Sequence, residues 1–249
     1  MTKIINWSFT TNQTWGIDHP DCIKPLLDPT YNPFKNLSKE ITSSRKGITY
    51  LKCPAHTDFL RNTFVFCAPF DLTINLDIDI PTDTVKIWCD NISQEVFDSI
   101  IDTRFLFGTE KGNDVYPLLG VDWLAIFTCK ESAMIQVFPA FMHRNEFTEK
   151  TTIVPGQYDI SKWTRPVETA FEVRSHKERI VIKKGDALAY MKFHLDDIVK
   201  LVEVATPYEE MQMCNDIRNA NMFRPLKERY SALEEKRATK CPFDTDKSA

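Results

Sequence analysis

The stretch "DLTINLDIDI", residues 71–80, decides the fold. Leu72, Ile74, Leu76, Ile78 and Ile80 fall on one side of an extended chain, and Thr73, Asn75, Asp77 and Asp79 on the other. Strand side chains alternate with period two, so this pattern predicts a strand with one buried and one wet face. The same reading extends outward. Upstream lie "GITYLKC" (47–53) and "NTFVFCAPF" (62–70). Downstream come "DTVKIWCD" (83–90), "TRFLFG" (103–108), "DWLAIFTC" (122–129), "AMIQVFPAF" (133–141), "VETAFEV" (167–173), "ERIVIKK" (178–184), "ALAYMKFH" (187–194) and "IVKLVEV" (198–204). All are short, rich in β-branched and aromatic residues, and bounded by turn formers. About eleven such segments without a long helix between them predict a mainly β protein with an antiparallel β-sandwich or jelly-roll-like body. One helix is expected among them at "SQEVFDSIID" (93–102), with Ser93 as its N-cap.

The flanks read differently. Residues 1–45 are expected to be an irregular, proline-rich N-terminal arm. "DHPDCIKPLLDPTYNPF" (18–34) holds four prolines in seventeen residues, and proline lacks the N–H a ladder or helix needs. Residues 46–205 form the β-sandwich domain. Residues 206–249 read as a C-terminal helical segment and tail. There Thr206, Pro207 and Glu209 make a capping box, and Leu226, Tyr230 and Leu233 make an apolar stripe after Pro225.

Composition excludes several function classes. The chain has 249 residues, 43% hydrophobic and 27% charged, with net charge -4. That length supports a sizeable core, and the charge offers no broad basic face for duplex nucleic acid. The basic run "KERIVIKK" (177–184) alternates with apolar residues and reads as a solvated strand face. No apolar run reaches the roughly 18 residues of a membrane helix, and "MTKIINWSFT" lacks the apolar stretch of a signal peptide. Seven cysteines without a CxxC indicate free thiols in a reducing, cytoplasmic setting. With only seven glycines, neither GxGxxG nor GxxxxGK[ST] can be written, and GxSxG and HExxH are also absent. These absences argue against dinucleotide-binding, P-loop, elbow-serine and zincin chemistry.

"KCPAHTDFLRNTF" (52–64) carries the possible metal ligands. His56-x-Asp58 is how a facial triad for non-haem iron begins, with His143 or His194 as the distal ligand. On that alternative the cofactors would be Fe(II) and 2-oxoglutarate. A basic residue should then hold the co-substrate carboxylate. Arg144 is too close to His143, while Lys200 follows His194 by six residues. Cys53-x-x-His56 would need two more ligands, such as Cys214 and Cys241, to hold zinc. The preferred reading makes the segment a loop entering a strand, with no cofactor.

Residues 153–193 resemble part of the dUTPase-like β-clip. They contain a "PGQYD" turn, a strand, and "IVIKKGD" before a final apolar strand. The resemblance implies that Asp159 would activate a water near a nucleotide. The family's glycine-rich arm, serine-containing phosphate motif and following tyrosine are not found here. "RNTFVFCAPFDL", "PGQYDISKWTRP" and "KKGDALAYMKFH" also resemble stretches of uncharacterised proteins of tailed phages, marine ones especially, and of a related bacterial family of unknown function. That likeness covers residues 46–204. It implies a viral origin and a compact β domain, and it supplies no activity.

In the same stretches Arg61, Asn62, Asp159, Trp163 and Arg165 are the candidate ligand-binding residues. Guanidinium forks suit carboxylate or phosphate, and an indole offers a flat face. The expected function is therefore a phage-encoded, non-catalytic β-sandwich module. It would bind a phage or host protein, or a small anionic ligand, and would self-associate. Its setting would be the host cytoplasm or the virion. The alternatives are the iron oxygenase and a nucleotide-binding or nucleotide-hydrolysing β-clip protein. Duplex nucleic acid and membrane are not expected partners.

Overall fold

Leu72–Asp79 forms the strand its alternation predicts, and Leu72, Ile74 and Leu76 point into the core. The computed structural model describes residues 2–9, 26–28, 30–44, 53–79, 84–102, 117–129, 132–161 and 167–204. These residues are mainly β. In chain order the strands are β1 (Thr2–Phe9), β2 (Phe34–Asn36), β3 (Thr63–Cys67), β4 (Leu72–Asp79) and β5 (Thr84–Cys89). Next come β6 (Ile101–Asp102), β7 (Leu118–Asp122), β8 (Ala125–Thr128), β9 (Met134–Pro139) and β10 (Thr151–Ile153). The last are β11 (Gly156–Asp159), β12 (Glu168–Val173), β13 (Lys177–Ile182), β14 (Ala187–His194) and β15 (Ile198–Glu203).

The strands build four sheets, ordered β15-β1-β8, β10-β12-β7-β6, β11-β9-β14-β3-β2 and β13-β4-β5. Among the described residues every pairing is antiparallel except β1 with β15. The sheets share one large core, a sandwich-like arrangement. Trp7, Phe66, Trp123, Phe127, Phe171 and Phe193 lie at its centre with the inward residues of β4 and β13.

The five-stranded sheet is covered on both faces. Phe64 and Phe66 of β3 face the main core, while Val65 and Cys67 face a second cluster with Tyr190 of β14. Two short helices, Leu37–Ser44 and Pro54–Leu60, close that outer face with Leu37, Ile41 and Leu60. Double apolar coverage explains why "TFVFC" and "ALAYM" are nearly continuous apolar runs, whereas β4 alternates because Thr73 and Asn75 are buried against polar groups of the Asp90–Asn91 turn.

The helix expected after β5 forms at Gln94–Ile100, and Ser93 Oγ accepts the Val96 N–H. Elsewhere the reading needs correction. Residues 1–45 are not wholly irregular: Thr2–Phe9 is a strand between β15 and β8, and Leu37–Ser44 is helical. The prolines that suggested an arm begin only at Pro20. "PAHTDFL" is a helix rather than a loop, because Pro54 sits at its N-terminus, where a missing N–H costs nothing. The C-terminal segment 206–249 and "TRFLFG" lie outside the described residues. No helix among the described residues is long and apolar enough to cross a membrane.

A candidate anion-binding cleft

Beyond β9 the chain turns through Pro139–Arg144 and enters the short helix Glu146–Lys150. Asn145 fixes that entry. Its side chain accepts the Thr148 N–H at 2.9 Å, its own N–H reaches Thr148 Oγ1 at 3.0 Å, and its amide donates to the Ala187 carbonyl at 2.8 Å. The loop is thereby stitched to β14. Phe147 anchors the helix below, edge-on to Phe171 at 5.0 Å. Lys150 anchors it laterally, reaching Glu146 at 2.8 Å and Glu178 of β13 at 2.9 Å. That bond to Lys150, supported by the Val181 N–H, holds the Glu146 carboxyl below its ordinary pKa.

A cleft of about 360 Å³ opens between this loop, the helix and β10. Phe147 and Leu188 belong to its apolar lining, and His143, Arg144 and Arg174 contribute polar groups. Arg174 follows the end of β12. Its Nη1 donates to the Glu149 carbonyl at 3.0 Å, and Nε and Nη2 share Thr152 Oγ1 at 3.4 Å. Guanidinium carries five N–H donors. Three are engaged, so one hydrogen on each η nitrogen is left, on a group already held in place. Arg144, in the loop after β9, is exposed and also lines the cleft, with no hydrogen bond or ion pair among the described residues.

His143 lines the cleft and belongs to a relay. Its Nδ1 lies 2.7 Å from Tyr190 Oη, and its Nε2 lies 3.4 Å from Glu40 Oε1. The Met142 N–H donates to the same tyrosine oxygen at 3.1 Å. With a neutral imidazole all three contacts are satisfied when the Tyr190 hydroxyl donates to Nδ1 and His143 carries its proton on Nε2 toward the Glu40 carboxylate. Tyr190 is 0% exposed. Carboxylate, imidazole and hydroxyl thus stand in the order of a nucleophile-activating triad, but no substrate can reach the hydroxyl. The relay instead binds the cleft loop to the helix Leu37–Ser44.

The other residues singled out in the sequence have different surroundings. His56 and Asp58 both lie on the helix Pro54–Leu60, two positions apart, where side chains do not face each other. His194, at the end of β14, bonds Gln136 at 3.1 Å. His143 follows β9 beyond Pro139, the partner of Ala189. At about 3.4 Å per residue the Pro139 end of β9 is on the order of 17 Å from His194 along the sheet, and His143 bonds Tyr190 instead. Among the described residues no three of His, Cys, Asp and Glu are grouped to hold a metal ion. Cys53 is exposed beside its helix, and Cys214 and Cys241 lie outside the described residues.

Asn62 is a structural clamp. It is 6% exposed, has φ 55°, donates to the Leu195 and Asp197 carbonyls, and accepts the Val199 N–H. Arg61 donates to the Asp196 carbonyl in the same turn. Asp159 is also occupied. Burial pushes its carboxyl up, but hydrogen bonds from Ser161, Ser132 and the Ala133 N–H outweigh that and leave it below the ordinary value. A carboxylate so well solvated by donors is a weak base for activating water. Trp163 and Arg165 lie outside the described residues.

No protein-family model, curated protein or solved structure matches this chain. The cleft is therefore read from its own chemistry. Of its polar lining, only His143 was a candidate ligand in the sequence. Arg144 entered there only as an arginine badly spaced for another role, and Arg174 sits in a segment that carries no motif.

Proposed function

We propose that the protein is a non-catalytic β-sandwich module that binds a small anionic ligand in the cleft between Arg144 and Arg174. The single observation behind this reading is a held guanidinium, Arg174, lining a partly apolar cleft that Arg144 also lines. Such pockets bind by enclosing an apolar portion while a few fixed polar groups orient the charge. A guanidinium fork is well suited to carboxylate or phosphate. The non-catalytic part of the reading is supported by the structural engagement of Asp159 and of the Glu40–His143–Tyr190 relay. The likeness of three stretches to tailed-phage proteins supports a phage-encoded accessory role in the host cytoplasm.

Isothermal titration of inorganic phosphate into the full chain at low salt tests this. One site per chain is expected. In Arg174→Ala the affinity should drop by tenfold or more, the worth of a charge-assisted hydrogen bond at about 1.5–3 kcal/mol. Arg174→Lys keeps the charge and loses the fork, and should weaken binding to an intermediate degree. Absence of a saturable heat, or equal binding by all three proteins, contradicts the proposal.

A further inference from the structure

Phe141 is a large apolar side chain left 63% exposed, and it lines the same cleft. Its ring is not loose. It packs against Phe59 at 5.8 Å and edge-on to Tyr190 at 5.5 Å. Phe59 and Tyr190 in turn both contact Phe138. The rest of its surface is exposed at a cleft that Arg144 and Arg174 also line. The backbone fixes it too, through the Phe141 N–H to the Pro139 carbonyl and the His143 N–H to the Ala140 carbonyl, both 2.9 Å. A rigid, exposed ring in a cleft with one held guanidinium, Arg174, is a surface for a ligand that is flat at one end and anionic at the other.

The anionic end can be specified further. Arg144 and Arg174 approach from different walls, the loop after β9 and the end of β12. A carboxylate has two oxygens in one plane and fits one fork. A tetrahedral phosphate monoester directs three terminal oxygens apart and can engage both arginines at once. The exposed carboxylate of Glu149 also lines the cleft, so both arginines are needed for the lining to remain net cationic. The volume of about 360 Å³ is near the lower end of the roughly 300–1,000 Å³ of small-molecule sites. It accommodates one ring system with one phosphate.

We infer that the cleft binds a phosphate monoester carried on a flat ring, with the phosphate between Arg144 and Arg174 and the ring against Phe141. This rests on the anion-binding reading above and adds the ring and the phosphate to it.

The test is calorimetric titration of the full chain with phenyl phosphate, cyclohexyl phosphate and inorganic phosphate, in wild type, Phe141→Leu and Arg174→Lys. Phenyl phosphate should bind about two- to tenfold more tightly than its non-planar cyclohexyl counterpart, the range that aromatic pairing adds beyond area burial. Phe141→Leu should abolish that preference and leave cyclohexyl phosphate binding nearly unchanged. Its exposure means the variant should fold, which its thermal midpoint confirms. Arg174→Lys should weaken all three ligands. Equal binding of the two esters in wild type, or a preference that survives Phe141→Leu, overturns the inference while inorganic phosphate binding still upholds the anion cleft. No binding by any of the three overturns both. The source of the ring is read by adding O-phosphotyrosine and adenosine monophosphate. Tighter binding of either than of cyclohexyl phosphate supports the inference and identifies the source, and weaker binding of both counts against it.

Discussion

Replacing Asn62 should be among the most damaging single changes in the described part of the chain, although it is a polar residue. Its side chain makes three hydrogen bonds of 2.7 to 2.9 Å, two to the turn between β14 and β15 and one to Val199 at the start of β15. Its own carbonyl accepts the Phe193 N–H at 3.0 Å. Each side-chain bond is worth about 1 kcal/mol net, so Asn62→Ala loses about 3 kcal/mol of hydrogen bonding. The left-handed φ of 55° adds a second cost. Asparagine tolerates that region and alanine does not, at about 1–2 kcal/mol. The sum for Asn62→Ala is about 4–5 kcal/mol. Asn62→Gly removes the same bonds but not the backbone fit, and should cost about 3 kcal/mol. Against a total stability of about 5–15 kcal/mol, both are large. Equilibrium unfolding in urea, with the slope checked for constancy, should order the midpoints wild type, then glycine, then alanine. An alanine variant within about 0.5 kcal/mol of wild type, or a glycine variant less stable than alanine, would refute the clamp reasoning.

Three further outcomes follow from individual contacts. Tyr190→Phe keeps the buried ring but removes the oxygen shared by His143 and the Met142 N–H, and should cost about 1–3 kcal/mol in the same unfolding assay. Burial pushes the Cys67 thiol up to about 11, against the pull of Lys35, whereas Cys53 is exposed. Peptide mapping after brief alkylation at neutral pH should therefore find Cys53 modified and Cys67 intact. Because the folded Cys67 pKa is raised, its stabilising contribution is complete below the unfolded thiol value and is lost as pH rises toward 11. Asp159 has the opposite sign. Its folded pKa is lowered, so its contribution is complete above the ordinary carboxylate value and fades as pH falls below about 4. The stability difference between wild type and Asp159→Asn should shrink over that acid range, and a constant difference would contradict it.

The sequence showed clearly those strands whose burial leaves a periodic trace. β4 alternates because its second face is polar, with Thr73 and Asn75 buried and Asn75 bonded to Asp90, and only Asp79 exposed, and β3 and β14 read as apolar runs because helices cover their second face. β1 is hidden in the sequence by the proline-rich stretch that follows it, and its partners β8 and β15 lie more than a hundred residues further on. β10 and β11 have three and four residues, too few for a period to emerge. The helix Pro54–Leu60 is short enough that its proline start signal was outweighed by the strand that follows. The cleft was less legible than the fold. Arg144 and Arg174 are thirty positions apart and line one cleft only because the loop after β9 and the end of β12 both border the same short helix. Asn62 was noticed for its polarity beside a strand. Its actual work, closing the β14–β15 turn, depends on carbonyls more than 130 residues further on.

The most direct test of the anion-binding cleft is a crystal structure grown with tungstate or selenate, oxyanions whose anomalous signal marks their position without interpretation. A peak within hydrogen-bonding reach of both the Arg144 and Arg174 guanidinium groups, lost in Arg174→Ala crystals of the same form, is the predicted result. An empty cleft at saturating oxyanion, or a peak that remains when Arg174 is gone, would contradict the account.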